Sequence, residues 1–151
     1  MKHARLFALL AGLSLAAGVH ASAADHVLAT HAWIRVLPGS VPAGAYVTLH
    51  NDGNQPVDLT SASSTAYAQV MLHLSSTQGG VSRMTMVGSL PVPAHGDARL
   101  APGGYHLMLV GLKKPLVEGT RVPLTLRFAH AGAIDVEAAV QSMSAGAAGM
   151  H

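Results

Sequence analysis

The strongest constraint on the fold is a series of short strand-like runs, separated by turn-forming residues, between residues 32 and 140. The separators are rich in Pro, Gly and Asn, as in Asn51-Asp52-Gly53 and Pro102-Gly103-Gly104. Regularly spaced short strands with such turns favour an antiparallel sandwich or barrel. No stretch after residue 23 has a convincing helical period. The nine predicted strands are 32–37, 45–50, 57–62, 69–74, 82–87, 97–100, 105–110, 122–128 and 134–140.

The first 23 residues have the charge, length and end of an export signal. Lys2 and Arg5 give a positive start, residues 6–19 are apolar, and Ala21-Ser22-Ala23 offers small residues for cleavage. The apolar stretch is shorter than the about 20 residues of a spanning helix, so we expect cleavage after Ala23 and no permanent membrane anchor.

The predicted organisation has three parts. We expect a signal peptide at 1–23, one domain at 24–141 and a flexible tail, rich in Ser, Ala and Gly, at 142–151. The mature chain would be exported, most simply to a bacterial periplasm. That compartment is oxidising, so a chain without free thiols suits it.

Composition excludes several classes of function. The 151 residues include no cysteine, which excludes a disulfide scaffold, a thiolate zinc site, an iron–sulfur cluster, a Cys nucleophile and a blue-copper centre. The net charge of +2 resides in Lys2 and Arg5, which leaves seven basic and seven acidic residues after residue 23. We therefore expect no nucleic-acid partner. The unusual feature is the presence of ten His and seven Met.

One predicted hairpin brings a histidine and methionines together. Gln78-Gly79-Gly80 is a turn signal, and a hairpin centred on Gln78 and Gly79 would place His73 opposite Met84 and Met71 opposite Met86. Directly opposed side chains lie about 5 Å apart at Cβ. The residues between them would face the core, because side chains alternate along a strand.

A second strand repeats the combination. In the run 105–109, His106 and Met108 lie two residues apart and share one face, whereas Tyr105, Leu107 and Leu109 take the other. Spacing alone does not show that this pair meets the first.

If the two pairs meet, they form a site of two imidazoles and two thioethers. Thioether sulfur is soft and uncharged, which suits Cu(I). Zinc prefers Cys, His and carboxylate, and calcium and magnesium prefer oxygen. The pattern therefore favours a Cu(I) site made by His73, Met84, His106 and Met108.

The chain resembles the periplasmic copper chaperones called PCu(A)C. The order His73, ten residues, Met84, twenty-one residues, His106, one residue, Met108 reproduces their copper motif, and the resemblance extends from residue 32 to residue 140. Flanking segments match too: Ala32-Trp33-Ile34-Arg35, Gly44-Ala45-Tyr46-Val47-Thr48-Leu49, Pro102-Gly103-Gly104-Tyr105 and Gly111-Leu112-Lys113-Lys114-Pro115-Leu116.

The resemblance implies a cupredoxin-like Greek-key β-sandwich or barrel that holds Cu(I) near its surface. It also implies delivery of copper to the CuA centre of cytochrome c oxidase subunit II, alongside a thioredoxin-like partner of the Sco type. The chain departs from the family in one respect, because Leu74 follows His73 where many members have a nearby Met. Met71 and Met86 flank the site instead, and Met86 is an alternative to Met84, which we prefer because it fits the motif spacing.

The two ends offer auxiliary copper ligands. Cleavage after Ala23 would expose Ala24-Asp25-His26, whose amine, two amides and imidazole could hold Cu(II) in a square plane. At the other end, Met150 and His151 close the predicted tail.

The residues alone leave two other functions open. These are a copper-dependent periplasmic oxidoreductase and a β-sandwich that binds a ligand other than a metal. The sequence has no Gly-x-Ser-x-Gly elbow, no His-Glu-x-x-His motif and no candidate carboxylate dyad. We therefore expect a binding protein and no enzyme.

Overall fold

The computed structural model describes residues 22–39 and 41–142. A single 3-10 turn, Ala23–His26, precedes the strands. All nine predicted strands form in this part of the chain, and the prediction missed only the short β6, whose three residues carry little pattern. The strands are β1 (Val27–Val36), β2 (Ala43–Asn51), β3 (Val57–Ser64), β4 (Tyr67–Gln78), β5 (Val81–Met86), β6 (Leu90–Val92), β7 (Gly96–Leu100), β8 (Tyr105–Leu112), β9 (Arg121–Phe128) and β10 (Gly132–Ser142).

The strands follow one hydrogen-bonded path, β5-β4-β8-β2-β1-β10-β9-β3-β6, and β7 pairs with the second half of β2. β1 runs parallel to β10, and the other pairs are antiparallel. Buried side chains from both ends of the path form one core. The predicted all-β sandwich or barrel is confirmed. We call the strands β5-β4-β8-β2-β1 the front layer.

Side-chain alternation in the front layer follows the prediction. Leu72 on β4 and Leu107 and Leu109 on β8 are at most 5% exposed and face the core. Residues of the opposite parity on these strands therefore face outward, and they include His73 and His106.

A bulge in β1 decides which side chains this strand contributes to the outer face. Thr30 pairs with Thr48, but Trp33 pairs with Tyr46, so β1 contains one extra residue between them. His31 lies there with a left-handed φ of 52°. A bulge of this kind reverses the alternation beyond it, so Trp33 faces outward.

The predicted register of the β4–β5 hairpin is wrong by two residues. The structure pairs Gln78 with Val81 and places Gly79 and Gly80 at the two turn positions, with φ of 56° and 76°. A two-residue turn with both φ positive favours glycine at both positions, whereas a Gln at either would be strained. The turn is therefore centred one residue later than predicted. As a result, His73 lies opposite Met86 rather than Met84.

The described residues include both predicted domain boundaries, at residues 23/24 and 141/142. Ala24 is fully buried, and its backbone N–H donates to the Ala131 carbonyl at 2.8 Å. At the other end, β10 extends to Ser142. Residues 1–21 of the predicted signal and residues 143–151 of the predicted tail lie outside the described residues, so both assignments stay predictions. Among the described residues, no helix is long and apolar enough to cross a membrane.

Candidate functional site

One row of outward side chains crosses the whole front layer. It consists of Met86 on β5, His73 on β4, His106 on β8, Tyr46 on β2 and Trp33 on β1. His73 pairs directly with both Met86 and His106, and Trp33 pairs with Tyr46. The rings of Tyr46 and His106 have centroids 6.5 Å apart. Soft and aromatic groups therefore form a continuous strip.

A shorter second row lies beside the first. Met108 on β8 is directly opposite Met71 on one side and Gly44 on the other. Arg35 on β1 lies opposite Gly44. Because Gly44 has no side chain, the hydroxyl of Tyr46 fits over it, and a Cβ there would lie 2.7 Å from that oxygen.

The rings of the two histidines lie close together. His73 and His106 lie edge to face, with centroids 5.8 Å apart and an interplanar angle of 85°. His106 is 6% exposed and His73 is half-buried. The sequence left open whether its two His–Met pairs meet, and direct pairing of β4 with β8 brings their histidines together.

Each ring has one buried nitrogen without a hydrogen-bond partner. His106 Nδ1 lies 3.1 Å from the Gly104 carbonyl, which also accepts the Ser75 N–H at 3.0 Å. A carbonyl only accepts, so the proton resides on Nδ1 and the lone pair on Nε2. His106 Nε2 and His73 Nδ1 are both buried without a hydrogen-bond partner.

Unpartnered buried polar atoms are rare in native proteins, and each calls for an explanation. In the described part of the chain, the only other such side-chain atom is the Tyr67 hydroxyl oxygen. Two unpartnered imidazole nitrogens on adjacent rings fit a shared metal ion, because each supplies a lone pair. Burial lowers the pKa of His73, and the neighbouring His106 imidazole lowers this pKa further. Both effects favour the neutral ring, which is the form that binds metals.

The methionines surround this pair on two sides. Met86 is directly opposite His73. Met84 lies two register pairs farther along, opposite Ser75, within diagonal reach of a long side chain. These two thioether side chains are 67% and 52% exposed, whereas Met108 is half-buried. The observed register therefore leaves the choice between Met84 and Met86 open.

Other ligand types are scarce at the site. Among the described residues, no group of three or more His, Cys, Asp or Glu side chains could hold a metal ion. The side chains with soft donor atoms beside His73 and His106 are thioethers. The ligand set of His73, Met84, His106 and Met108 stays a prediction.

The sequence did not identify Tyr46 and Arg35 as members of the site. Tyr46 stacks on Trp33 with ring centroids 4.6 Å apart, and the Arg35 guanidinium lies 5.5 and 5.3 Å from their respective centroids. Side-chain alternation could have placed them on one face, because Trp33 and Arg35 lie two residues apart on β1. Gly44 and Tyr46 likewise lie two residues apart on β2. The bulge that places Trp33 beside Tyr46 has no clear signature in the sequence.

Of the predicted terminal ligands, His26 is among the described residues, and its ring lies beside Asp52. Asp25 N donates to the Ser22 carbonyl at 3.0 Å, and His26 Nδ1 lies 3.1 Å from an oxygen of Asp52. Cleavage after Ala23 removes Ser22, so a Cu(II) site at Ala24-Asp25-His26 would have to break the His26–Asp52 contact and the hydrogen bond from Ala24 N to the Ala131 carbonyl. This site stays a prediction. Met150 and His151 lie outside the described residues.

The remaining described histidines do not join the site. His50 Nδ1 lies 2.5 Å from an oxygen of Asp97, and His95 Nε2 lies 2.8 Å from the side-chain oxygen of Asn54. His50 and His95 are exposed, as are His31 and His130.

Residues 27–140 match the LpqE-like family, described as "Putative lipoprotein LpqE-like". The chain belongs to this family. A relative of this LpqE-like chain is "Putative lipoprotein Lxx21020" of Leifsonia xyli subsp. xyli, which is 34% identical over 122 residues, covering 80% of this chain and 73% of the relative.

Solved structures similar to this LpqE-like chain include copper domains. The "Copper-bound PCuAC domain from PmoF2" is 26% identical, with a TM-score of 0.65, over 78% of this chain and 93% of that one. Apo-DR1885 from Deinococcus radiodurans is 33% identical, with a TM-score of 0.60, over 94% of this chain and 97% of that one. Its CuI form is 36% identical, with a TM-score of 0.59, over 73% of this chain and 74% of that one. The fold of this chain is therefore that of the PCuAC domains.

Proposed function

We propose that this LpqE-like protein is a periplasmic copper chaperone that binds Cu(I) through His73, Met84, His106 and Met108. The observation that carries the proposal is the pair of buried, unpartnered nitrogens on two adjacent imidazoles. The similar domains from PmoF2 and DR1885, whose structures are described as copper-bound and CuI, support the same cargo.

The donor set matches Cu(I) better than other common ions. Thioether sulfur is soft, and imidazole binds copper with useful affinity, whereas calcium and magnesium require oxygen ligands. His106 is held for this role, because the Gly104 carbonyl fixes its proton on Nδ1 and leaves Nε2 free. Met71 and Met86 are auxiliary thioethers beside Met108 and His73.

The placement of the ligands suits release as well as binding. The histidines are buried or half-buried, but Met84 and Met86 lie exposed on the edge strand β5. A recipient can replace the exposed thioether first and the imidazoles afterwards, so copper moves by stepwise ligand exchange. The chain itself makes and breaks only copper–ligand bonds in this transfer, which is the work of a carrier and not of an enzyme.

The proposed recipient is the CuA centre of cytochrome c oxidase subunit II, with a Sco-type thioredoxin-like protein acting alongside. Such a recipient lies outside the cytoplasm. The lipoprotein names of the family and of the relative support export. Thioether ligands also suit an oxidising compartment, because they form no disulfides.

The test is a titration of the full chain after export and cleavage, with Cu(I) and a competing Cu(I) chelator, followed by mixing with a soluble CuA domain. We expect one Cu(I) per chain, no turnover with oxygen or phenolic substrates, and appearance of copper in the CuA domain. Failure to compete with the chelator would contradict copper binding. Retention of copper in the presence of the CuA domain would contradict this recipient, and turnover would favour an oxidoreductase.

A further inference from the structure

We propose that a cavity where β8 ends and β4 begins is a second binding site, which takes a medium-chain fatty acid in its carboxylate form. The proposal goes beyond the proposed function and does not depend on copper. It is carried by the apolar walls of the cavity, by two lysines that line it and by one unpartnered hydroxyl.

The cavity forms where β8 extends beyond its pairing with β2. Ala43, the first residue of β2, pairs with Leu109, and β8 continues for three residues to Leu112. Gly111 has a φ of 71°, and a Cβ there would lie 2.7 Å from the Cβ of Ala68, so this position requires glycine. Residues of the connection from β1 to β2 line the cavity together with this end of β8.

The cavity has the size and lining of a small-molecule site. Its volume is about 440 Å³, within the range of about 300–1,000 Å³ that ligand pockets have. Val41 and Leu112 are 55% and 41% exposed, so apolar side chains continue to its mouth. The walls are mainly apolar and include Val36, Leu37, Val41, Pro42, Leu109 and Leu112. Such walls suit an alkyl chain, because burial removes its apolar surface from water.

Positive charge is concentrated at the same cavity. Lys113 and Lys114 are the only lysines after Lys2, both line the cavity, and no lining residue is acidic. In the described part of the chain, the ion pairs join histidines to Asp52 and Asp97, so neither lysine is neutralised by one. The ligand that complements these walls and this charge has an alkyl chain and an anionic head group. A carboxylate is such a group, and it accepts charge-assisted hydrogen bonds from ammonium groups.

The cavity also contains an unpartnered donor. Tyr67 lines it and is 3% exposed, and its hydroxyl oxygen is buried without a hydrogen-bond partner. Burial raises the pKa of Tyr67, so the hydroxyl keeps its proton. Unpartnered buried polar groups are rare and call for an explanation. A carboxylate oxygen that enters the cavity would be an acceptor that the chain itself does not supply.

The experiment compares ligands that share one alkyl chain and differ in the head group. Isothermal titration calorimetry of the apo chain, after export and cleavage, uses decanoate, decanol and decyltrimethylammonium. We expect one decanoate per chain, bound about threefold tighter than decanol and about tenfold tighter than the cation. Octanoate should bind about tenfold weaker than decanoate, because it lacks two buried methylene groups.

Two pairs of variants locate the site. Lys113→Gln combined with Lys114→Gln should abolish the preference for decanoate over decanol. Arg127→Gln should keep it, because Arg127 is exposed on β9, outside the lining. Val41→Asp adds a carboxylate at the mouth and should weaken decanoate binding about fivefold. Val81→Asp is the matched control, because Val81 is also 55% exposed but lies on β5, outside the lining.

Equal affinities for decanoate and decyltrimethylammonium would overturn the proposal, as would equal effects of Val41→Asp and Val81→Asp. Absence of decanoate binding, together with co-sedimentation of the chain with phosphatidylglycerol vesicles, would also overturn it and would assign the mouth of the cavity to a membrane surface. None of these results bears on Cu(I) binding, which the chelator titration tests separately.

Discussion

His73 on β4 and His106 on β8 lie directly opposite each other, with ring centroids 5.8 Å apart and nearly perpendicular planes. Each ring has one buried nitrogen without a partner. Because β4 and β8 pair along seven register positions, this geometry is fixed by a long run of backbone hydrogen bonds. The pairing joins two parts of the sequence that each contain one histidine and nearby methionines.

The first prediction concerns this pair. His106→Asn should reduce Cu(I) affinity by at least about 100-fold, because loss of a direct ligand costs no less than loss of an outer-shell partner. His50→Asn should leave the affinity unchanged, since His50 is exposed and lies against Asp97. Competition with a Cu(I) chelator measures both, and equal affinity in the two variants would remove His106 from the site.

The second prediction separates the two methionines of β5. Met84→Leu should weaken Cu(I) binding more than Met86→Leu, because Met84 has the spacing of the copper motif. Met108→Leu should weaken binding to a similar degree as Met84→Leu. If Met84→Leu binds like the wild type and Met86→Leu does not, the direct register partner of His73 is the ligand and our assignment of Met84 is wrong.

The third prediction concerns the turn that holds His106. Gly103 has a φ of 84° and no atom near the position of a Cβ, so Gly103→Ala is disfavoured by backbone conformation alone. The free energy of unfolding should fall by about 1–2 kcal/mol. Gly88→Ala is the control, because Gly88 has neither a positive φ nor a nearby atom.

The same turn supplies the Gly104 carbonyl that orients His106. In the wild type, nitrogen NMR of the apo protein should show the proton of His106 on Nδ1. In Gly103→Ala, the Nε2-protonated form should increase. An unchanged tautomer in a destabilised variant would mean that the carbonyl does not fix the ring.

The fourth prediction concerns pH. The pKa of His73 in the folded chain is below its ordinary value of 6.5 because of burial and the nearby His106. Protonation of His73 therefore favours the unfolded chain. The contribution of neutral His73 to the free energy of unfolding is complete above pH 6.5 and is lost as the pH falls through the pKa of His73 in the folded chain.

Urea unfolding of the apo protein at pH 7.5 and pH 5 measures this contribution. His73→Gln should lose less stability than the wild type between the two pH values, since Gln does not titrate. An equal loss of unfolding free energy in the wild type and in His73→Gln would contradict the lowered pKa of His73.

The fifth prediction uses Trp33, the only tryptophan of the chain. In Gly44→Ala, the new Cβ would lie 2.7 Å from the Tyr46 hydroxyl, so the Tyr46 ring must move relative to Trp33 and His106. The fluorescence maximum of Trp33 should shift. Thr48→Ala, also on the outer face of β2, should leave the spectrum as in the wild type.

The local features of the fold were predictable from the sequence. Turn residues at regular intervals determined the nine strands, and alternation placed Leu107 and Leu109 inside with His106 outside. The regular spacing of these strands also predicted the sandwich or barrel class. Each of these depends on residues close together in the chain.

The features that the sequence predicted wrongly or left open depend on exact turn geometry or on distant contacts. The hairpin register depends on which two residues adopt positive φ, and the sequence Gln78-Gly79-Gly80 allows two choices. The pairing of His73 with His106 requires β4 to pair with β8, although β5, β6 and β7 lie between these two strands in the sequence. The contact between Trp33 and Tyr46 requires the bulge at His31, which has no strong signal.

The most direct test of the account is anomalous diffraction at the copper edge from crystals of the Cu(I)-loaded chain. The account predicts one copper ion between His73 and His106, ligated by His106 Nε2, His73 Nδ1 and the sulfur atoms of Met84 and Met108. Copper bound away from these four residues, for example only at His26, would contradict it.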